Sequence, residues 1–413
     1  MGPTEAERIR STVPGGATAF EKHRAQELLV DVWHEAPRRW GHSLHSVCSY
    51  LAMFPPAVAH MLIGWLSVEG DTVYDPFAGR GTVPFEACLM GRVGVGSDLS
   101  PLSVVLTGAK VDPPTRASLL ARIKKHEQDF QPGLGASAPS EIRMLFSPGV
   151  LDQLSWLRSV LKVSIRTDRM IHAIIAGYLH RNAARDGTPR GLSISMPNTF
   201  AMSPGYVERY IASHNLEAPD LDVFAFIRDR AKLIELPPAT ARRGRAWQAD
   251  AEASMARAGR PRLLLSSPPY LQVIRYGKFN WPRLWMLGVT GAEVDDVSFT
   301  SGSLSKYLDF MDGVLNRADR QLTDDGFVGL VIGDVRKGDE NIVLASKVAE
   351  RASAAGWAVH GILDDDIPVA HKVSRIWKDG RGRATKTDRV LVLSRQGVHL
   401  PPLPPLQASR WID

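Results

Sequence analysis

The sequence predicts an α/β fold built on a mixed seven-stranded sheet and interrupted by a long, mainly helical insertion. Three observations carry this. Short apolar runs that stop on polar residues recur between helical patterns, as in βαβ units. A strand-turn-helix-strand unit fills 71–98, with glycines in the turn and an acid where the second strand stops. Between Pro101 and Arg245 the chain does not return to the sheet, a stretch much longer than an ordinary crossover needs. The 413 residues exceed one small domain, and a 44% hydrophobic fraction can build a core.

Residues 1–40 read as a polar N-terminal extension with a short helix over Phe20–Trp33. His42, His45 and Cys48 have a spacing that a metal could use. They lack a second half-site, so a packed helix start is the favoured reading. Phe54-Pro55-Pro56 leads into an apolar helix, Ala57–Leu66, with proline just inside its start. Asp71–Tyr74 is the first strand, Asp75–Thr82 a tight turn, Val83–Met90 a helix and Val93–Asp98 the second strand. Residues 111–244 form the insertion, with helices over Ala117–Phe130, Ser147–Val163, Thr167–Leu179 and Ser203–His214. Its basic loop, His180–Gly191, carries Arg181, Arg185 and Arg190. The sheet resumes with Ala246–Asp250, Leu263–Ser266, Phe327–Asp334, Trp357–Leu363 and Arg389–Ser394, with a helix over Val343–Ala354. Residues 41–110 and 245–396 thus form one core, and 397–413 a proline-rich tail.

Composition excludes several classes. No apolar run approaches the length of a membrane span; Met61–Leu66 is stopped by Ser67 and Glu69. The N-terminus has no apolar signal core. Two cysteines, Cys48 and Cys88, exclude a disulfide framework and fit a reducing cytoplasm. A net charge of +6 leans modestly toward polyanionic partners. Between the last two strands, Lys372, Arg375, Lys378, Arg381, Arg383 and Lys386 surround Trp377 and outnumber Asp379 and Asp388. A phosphate-contacting loop is the favoured reading there.

Two stretches carry the chemistry. In the turn Asp75-Pro76-Phe77-Ala78-Gly79-Arg80-Gly81-Thr82, glycines let backbone approach a ligand, and the following helix offers unpaired N–H groups. Asp98, ending the second strand, is placed to bind a ribose diol. A dinucleotide fingerprint wants a third glycine where Pro84 stands. S-adenosylmethionine needs fewer phosphate-like contacts and tolerates this shorter turn. The second stretch, Ser267-Pro268-Pro269-Tyr270, ends a buried strand. Its prolines fix φ and lack N–H groups, so the sheet ladder cannot continue.

These residues resemble the DNA amino-methyltransferases that modify exocyclic nitrogens. Asp75–Thr82 is similar to their cofactor motif, Asp-Pro-Phe-x-Gly-x-Gly-Thr, and Ser267–Tyr270 to their catalytic motif, (Asp/Asn/Ser)-Pro-Pro-(Tyr/Phe/Trp). Residues 44–66, with Phe54-Pro55-Pro56, resemble the motif flanking the methionine end of the cofactor. The resemblance implies a Rossmann-like class I methyltransferase with S-adenosyl-L-methionine as cofactor. Phe54, Asp75, Pro76, Phe77, Ala78, Gly79, Gly81, Thr82, Asp98, Leu99 and Asp250 would hold it. Ser267, Pro268, Pro269 and Tyr270 would act on a base flipped from double-stranded DNA. Arg181, Arg185, Arg190, Lys372, Arg375, Lys378, Arg381 and Arg383 would contact nucleic acid. No metal is implied. A prokaryotic cytoplasmic location follows from the same resemblance, with a separate cognate restriction endonuclease as an optional partner.

Within that family, Ser at the first catalytic position leans to cytosine N4, while Asp or Asn leans to adenine N6. Adenine N6 stays open, as does an RNA amino-methyltransferase acting on tRNA guanine N2. Residues 1–40 are shorter than the RNA-binding module such enzymes carry. A non-catalytic nucleic-acid-binding protein is the remaining alternative. A ring-carbon methyltransferase would need a nucleophilic cysteine after proline. Cys48 follows Val47 and Cys88 follows Ala87. The family's target-recognition region does not fit between Asp250 and Ser267, so sequence preference is expected in 111–244, with help from Gln272–Gly288 and the basic loop.

Overall fold

The computed structural model describes residues 11–12, 40–50, 54–184, 187–196, 201–238, 241–252, 255–269, 271, 275–299, 301–337, 340–366 and 384–401. The helix expected over Phe20–Trp33 and the basic loop 372–383 lie outside them.

Seven strands make the frame: β2 (Thr72–Asp75), β3 (Val93–Asp98), β4 (Arg245–Gln248), β5 (Leu263–Ser266), β6 (Phe327–Lys337), β8 (Ala358–Asp366) and β9 (Ala384–Ser394). Two short strands, β1 (Ser11–Thr12) and β7 (Glu340–Ile342), pair with β8 and β6. The order is β1-β8-β9-β6-β5-β2-β3-β4. β4, β3, β2, β5 and β6 are parallel, and β9 runs antiparallel between β6 and β8. This is the Rossmann-like, class I methyltransferase arrangement that the resemblance implies. The expected strands are all present, and β6, β8 and β9 extend three, three and five residues beyond their expected ends, where they stay paired in the sheet.

The three leucines of β5 show how the sheet is buried on both faces. Side chains alternate along a strand. Leu263 and Leu265 pack with Val73, Val331 and Val392 under α1 (Pro56–Leu66) and α2 (Thr82–Leu89). Leu264 points the other way, with Tyr74, Val328 and Leu330, under α12 (Leu304–Gln321) and α13 (Leu344–Ala354). Two covered faces explain why these strands read as unbroken apolar runs.

Sequence order and spatial order part at β2. From β2 the chain moves to β3 and β4 on one side. It then returns to β5 on the other side. Such a switch point opens a crevice beyond the strand ends, where ligands bind in open α/β sheets. The prolines after Ser267 end β5 there.

Among the described residues, the insertion contains six α-helices, which follow α3 (Pro101–Val111). α3 lies on the sheet. α4 (Arg116–Gln128), the short α5 (Ser140–Arg143), α6 (Pro148–Val160), α7 (Arg166–Tyr178), α8 (Pro204–His214) and α9 (Val223–Leu233) follow. α7 is the hub: Met170, Ile171, Ala173, Ile174 and Ile175 are buried in one core shared with α3. Its first-turn Asp168 is fully buried and is held by a bidentate Arg122 at 2.6 and 2.8 Å. Burial alone would raise this carboxyl. The Arg122 pair and His126 hold it well below the usual range instead. α9, begun by the Asp222 cap, is one helix the sequence reading did not assign.

The segment after β5 holds three more unassigned helices. They are α10 (Tyr276–Trp285), α11 (Gly291–Val297) and α12. α10 and α11 touch through glycines. A Cβ on Gly277 would lie 1.9 Å from the Gly291 carbonyl oxygen. Asp295 of α11 accepts the backbone N–H groups of Gly277 at 2.8 Å and Lys278 at 3.1 Å, capping α10.

Candidate active site

A cavity of about 240 Å³ opens at the switch point. Phe54, Asp75, Pro76, Phe77, Ala78, Gly79, Thr82, Asp98, Leu99 and Asp250 line it, as do Ser267 and Pro269. The two predicted motifs therefore face one space. Gly81 is not on the wall but shapes it, and Pro268 is buried beside it. Tyr270 lies outside the described residues.

The glycine turn is held from three directions. Gly79 and Gly81 have φ of +50° and +77°, which favours glycine. A Cβ on Gly81 would lie 2.7 Å from the Thr107 Cα, so α3 approaches the turn as closely as backbone allows. The Asp98 carboxylate accepts the Gly79 N–H at 2.8 Å through Oδ2 and the Ser100 N–H at 2.9 Å through Oδ1. From beneath, the buried Lys110 donates to the Arg80 carbonyl at 2.6 Å. Burial drives the Lys110 ammonium well below its ordinary range, with the nearby Arg80 guanidinium pushing the same way. Arg80 in turn donates to the His45 carbonyl at 3.1 Å and to Thr82 Oγ1 at 3.1 Å.

His45 and Cys48 are both buried, as a packed helix start would have them. His45 Nε2 lies 2.9 Å from Glu86 Oε2, and His60 Nδ1 lies 2.6 Å from Oε1. Burial favours the neutral carboxyl. The two histidines overcome it and bring Glu86 down to about 2, while burial lowers His45 to about 4.

At the end of β2, Asp75 Oδ1 accepts the Phe77 N–H at 3.0 Å and the Ser266 hydroxyl at 2.5 Å. Burial pushes this carboxyl up to about 7, against those two hydrogen bonds. Ser266 thus ties the end of β5 to the glycine turn, a role the sequence reading gave to no residue.

Two aromatic groups complete the walls. Phe299 stacks on Phe310 with centroids 4.7 Å apart, and Phe77 leans on Phe310 at 5.7 Å. Tyr50 and Tyr276 stack at 5.8 Å with an interplanar angle of 20°. Of these five rings only Phe77 was named from the sequence. Tyr50 lies within the stretch 44–66 already singled out. Phe310 comes from α12, a helix not assigned from the sequence, and Phe299 from the loop before it.

The donor set fits S-adenosylmethionine. The glycine turn gives a cradle without side chains, Asp98 a carboxylate for a diol, the phenylalanines an apolar wall for a flat ring, and Asp250 an exposed carboxylate at the rim. The described walls contain no cysteine. Cys48 and Cys88 are buried elsewhere, and burial pushes the Cys88 thiol up to about 12.

The predicted nucleic-acid contacts divide. Arg190 is exposed. Arg181 donates to the Gly177 carbonyl at 2.8 Å and stacks over Tyr178 at 4.1 Å, so it also anchors the loop. Arg185, Lys372, Arg375, Lys378, Arg381 and Arg383 lie outside the described residues. Among the described residues, no helix is long and apolar enough to cross a membrane.

A family model described as DNA methylase matches residues 6–104, about a quarter of the chain, including the glycine turn and Asp98. No curated protein matches the chain. Among solved structures, TrmN from Thermus thermophilus aligns over 85% of this chain and 52% of its own, at 14% identity and a TM-score of 0.32. The rRNA methyltransferase aviRa from Streptomyces viridochromogenes aligns over 84% and 89%, at 10% identity and 0.32. A precorrin-6y C5,15-methyltransferase from Geobacter metallireducens GS-15 aligns over 87% and 100%, at 10% identity and 0.31. The chain spans about half the length of the TrmN chain it matches. The family match ends before the insertion, so it takes in the glycine turn but not Ser267–Tyr270.

Proposed function

We propose that the protein is an S-adenosylmethionine-dependent methyltransferase that modifies the exocyclic amine of a base in double-stranded DNA, with cytosine N4 favoured over adenine N6. The observation that carries this reading is the meeting of Ser267 and Pro269 with Gly79 and Asp98 on one cavity.

When bound, the cofactor supplies a methyl group already activated on a sulfonium. The chain's task is to hold, align and polarise. An exocyclic amine is a poor nucleophile because its lone pair is delocalised into the ring. Ser267 Oγ and the Pro268 carbonyl accept its hydrogens, drawing the nitrogen toward a pyramidal form, and proline stiffness keeps those acceptors in place. Tyr270 stacks on the base once it leaves the duplex, offsetting part of the few kcal/mol that flipping costs. Asp98 and Gly79 fix the ribose and methionyl end against this turn. No thiol lines the described walls, which favours direct displacement over a covalent enzyme intermediate. Ser267 in the first position favours cytosine. Arg190 and the basic residues of 372–383 supply phosphate contacts in this reading, and 111–244 the sequence preference.

The test is one incubation. Protein, methyl-labelled S-adenosylmethionine and duplex DNA are mixed, with a parallel RNA sample, and the products are hydrolysed to nucleosides. Label in N4-methylcytosine supports the full reading. Label in N6-methyladenine moves the base assignment. Label confined to RNA, or none in either, overturns the DNA reading.

A further inference from the structure

The walls of the cavity are chemically divided. The phenylalanine group, Phe310 of α12 with Phe299 and Phe77, offers an apolar wall that suits a flat neutral ring. The Tyr50–Tyr276 pair lies beside Gly79 and Asp98. Tyr50 Cε1 is 3.6 Å from where a Gly79 Cβ would be. Stacked electron-rich rings next to a carboxylate suit a cation better than they suit an adenine.

The pair is also built with care. Tyr50 OH and Ser103 Oγ are 2.8 Å apart, which fixes the first ring from α3. The second ring is carried by α10, and the same helix supplies Arg283, a guanidinium buried to 2% exposure. Arg283 donates to the Ser49 carbonyl at 3.0 Å and to Ser49 Oγ at 3.0 Å, the residue just before Tyr50. It also donates to Asn280 Oδ1 at 2.9 Å and to the Ala176 carbonyl of α7 at 2.9 Å. One buried arginine thus sets Tyr50 against Tyr276 and ties both to the insertion. Burial, helped by the Asp98 charge, raises both phenols, so the rings stay neutral.

We propose that Tyr50 and Tyr276 form an aromatic clamp that recognises the positive charge of the cofactor's sulfonium, with Arg283 as its positioning residue. The proposal rests on the cofactor reading above and adds a charge selectivity to it. The clamp would distinguish the sulfonium cofactor from its neutral thioether product.

Calorimetry on the full chain tests this without turnover. Three ligands are titrated: S-adenosylmethionine, sinefungin (an amine cation at the sulfonium position) and S-adenosylhomocysteine (a neutral thioether). In Tyr50→Leu and Tyr276→Leu, affinity for the two cations should fall by about tenfold relative to the thioether. Tyr50→Phe and Tyr276→Phe keep a ring and should keep the wild-type ratio. Arg283→Lys should shift the ratio in the same direction as the leucine variants. Fluorinated phenylalanines at position 276 keep the shape and withdraw ring electron density. They should lower the cation preference stepwise, and they serve if the leucine variants do not fold. A ratio that stays at its wild-type value along that series overturns the clamp, as does an equal loss for all three ligands. Wild-type protein that binds none of the three overturns the cofactor reading itself.

Discussion

Ser266 donates its hydroxyl to Asp75 Oδ1 over 2.5 Å, joining the end of β5 to the end of β2. Both groups are buried, and Asp75 is the residue from which the glycine turn departs. The carboxyl, pushed by burial up to about 7, stands well above the roughly 3.9 of an unfolded aspartate. A raised folded-state value contributes stability that is present in full below about pH 4 and is lost as pH rises through about 7. Asp75→Asn should flatten that fall. Urea midpoints between pH 4.5 and 8 check it, and curves for the two proteins that run parallel would remove Asp75 from the account.

Glu86 has the opposite sign. Its value near 2 means that its contribution is present above the unfolded value of about 4.3 and is lost as pH falls through about 2. Glu86→Ala leaves the neutral, buried His45 without its hydrogen-bond partner, and a loss of about 2 kcal/mol is expected at pH 7. Chemical denaturation measures it. A loss under about 0.5 kcal/mol would show that the His45–Glu86–His60 cluster is not holding the turn.

Gly81→Ala places a Cβ within 2.7 Å of the Thr107 Cα at a φ of +77°. Left-handed backbone and overpacking each cost on the order of 1–3 kcal/mol. The variant should melt several degrees lower and bind cofactor weakly. Unchanged melting and unchanged affinity together would contradict the close approach of α3.

Asp98→Ala removes the acceptor for Gly79 and Ser100. Cofactor affinity should fall by about a hundredfold, the order expected for losing a charge-assisted pair of hydrogen bonds. Calorimetry reads the affinity. An affinity within about twofold of wild type would place the cofactor away from this carboxylate.

Ser267→Ala should separate binding from chemistry. Turnover should fall by about 10²–10³ while the cofactor Kd stays near wild type, because the hydroxyl addresses the amine and not the cofactor. Equal losses in both would assign Ser267 to cofactor binding.

Much of the site was legible because its residue types answer to backbone needs. Gly79, Gly81 and the acid at 98 declare a turn that a ligand approaches, and Pro268-Pro269 declare a strand that must stop. The register was not legible. Which side chain of β5 meets Asp75 depends on the pairing of Val73 with Leu263 and Tyr74 with Leu264. The motif names Ser267, while the bond to Asp75 comes from Ser266. α10 was hidden by Pro282, which stands inside the helix and would normally argue against one. Its Tyr276 is therefore missing from any list drawn from sequence. The stripe Leu304, Tyr307, Met311, Val314 and Ala318 of α12 does keep helical period, but nothing in it announces that Phe310, on its flank, reaches the cavity.

The place of the insertion has a consequence for how the molecule assembles. β3 and β4 are adjacent and parallel, with Asp98 opposite Gln248, yet the whole run of α3 to α9 separates them along the chain. Closing so long a loop costs entropy before the edge pairing returns any stability, and contacts of high sequence separation slow folding. A chain emerging from synthesis can form the Asp75–Asp98 unit early. Asp250, and the wall that β5 supplies, must wait until the helical insertion has packed. The half-built crevice exposes the apolar flanks of β2 and β3 during that interval, so refolding should be sensitive to any change that loosens the α7 hub.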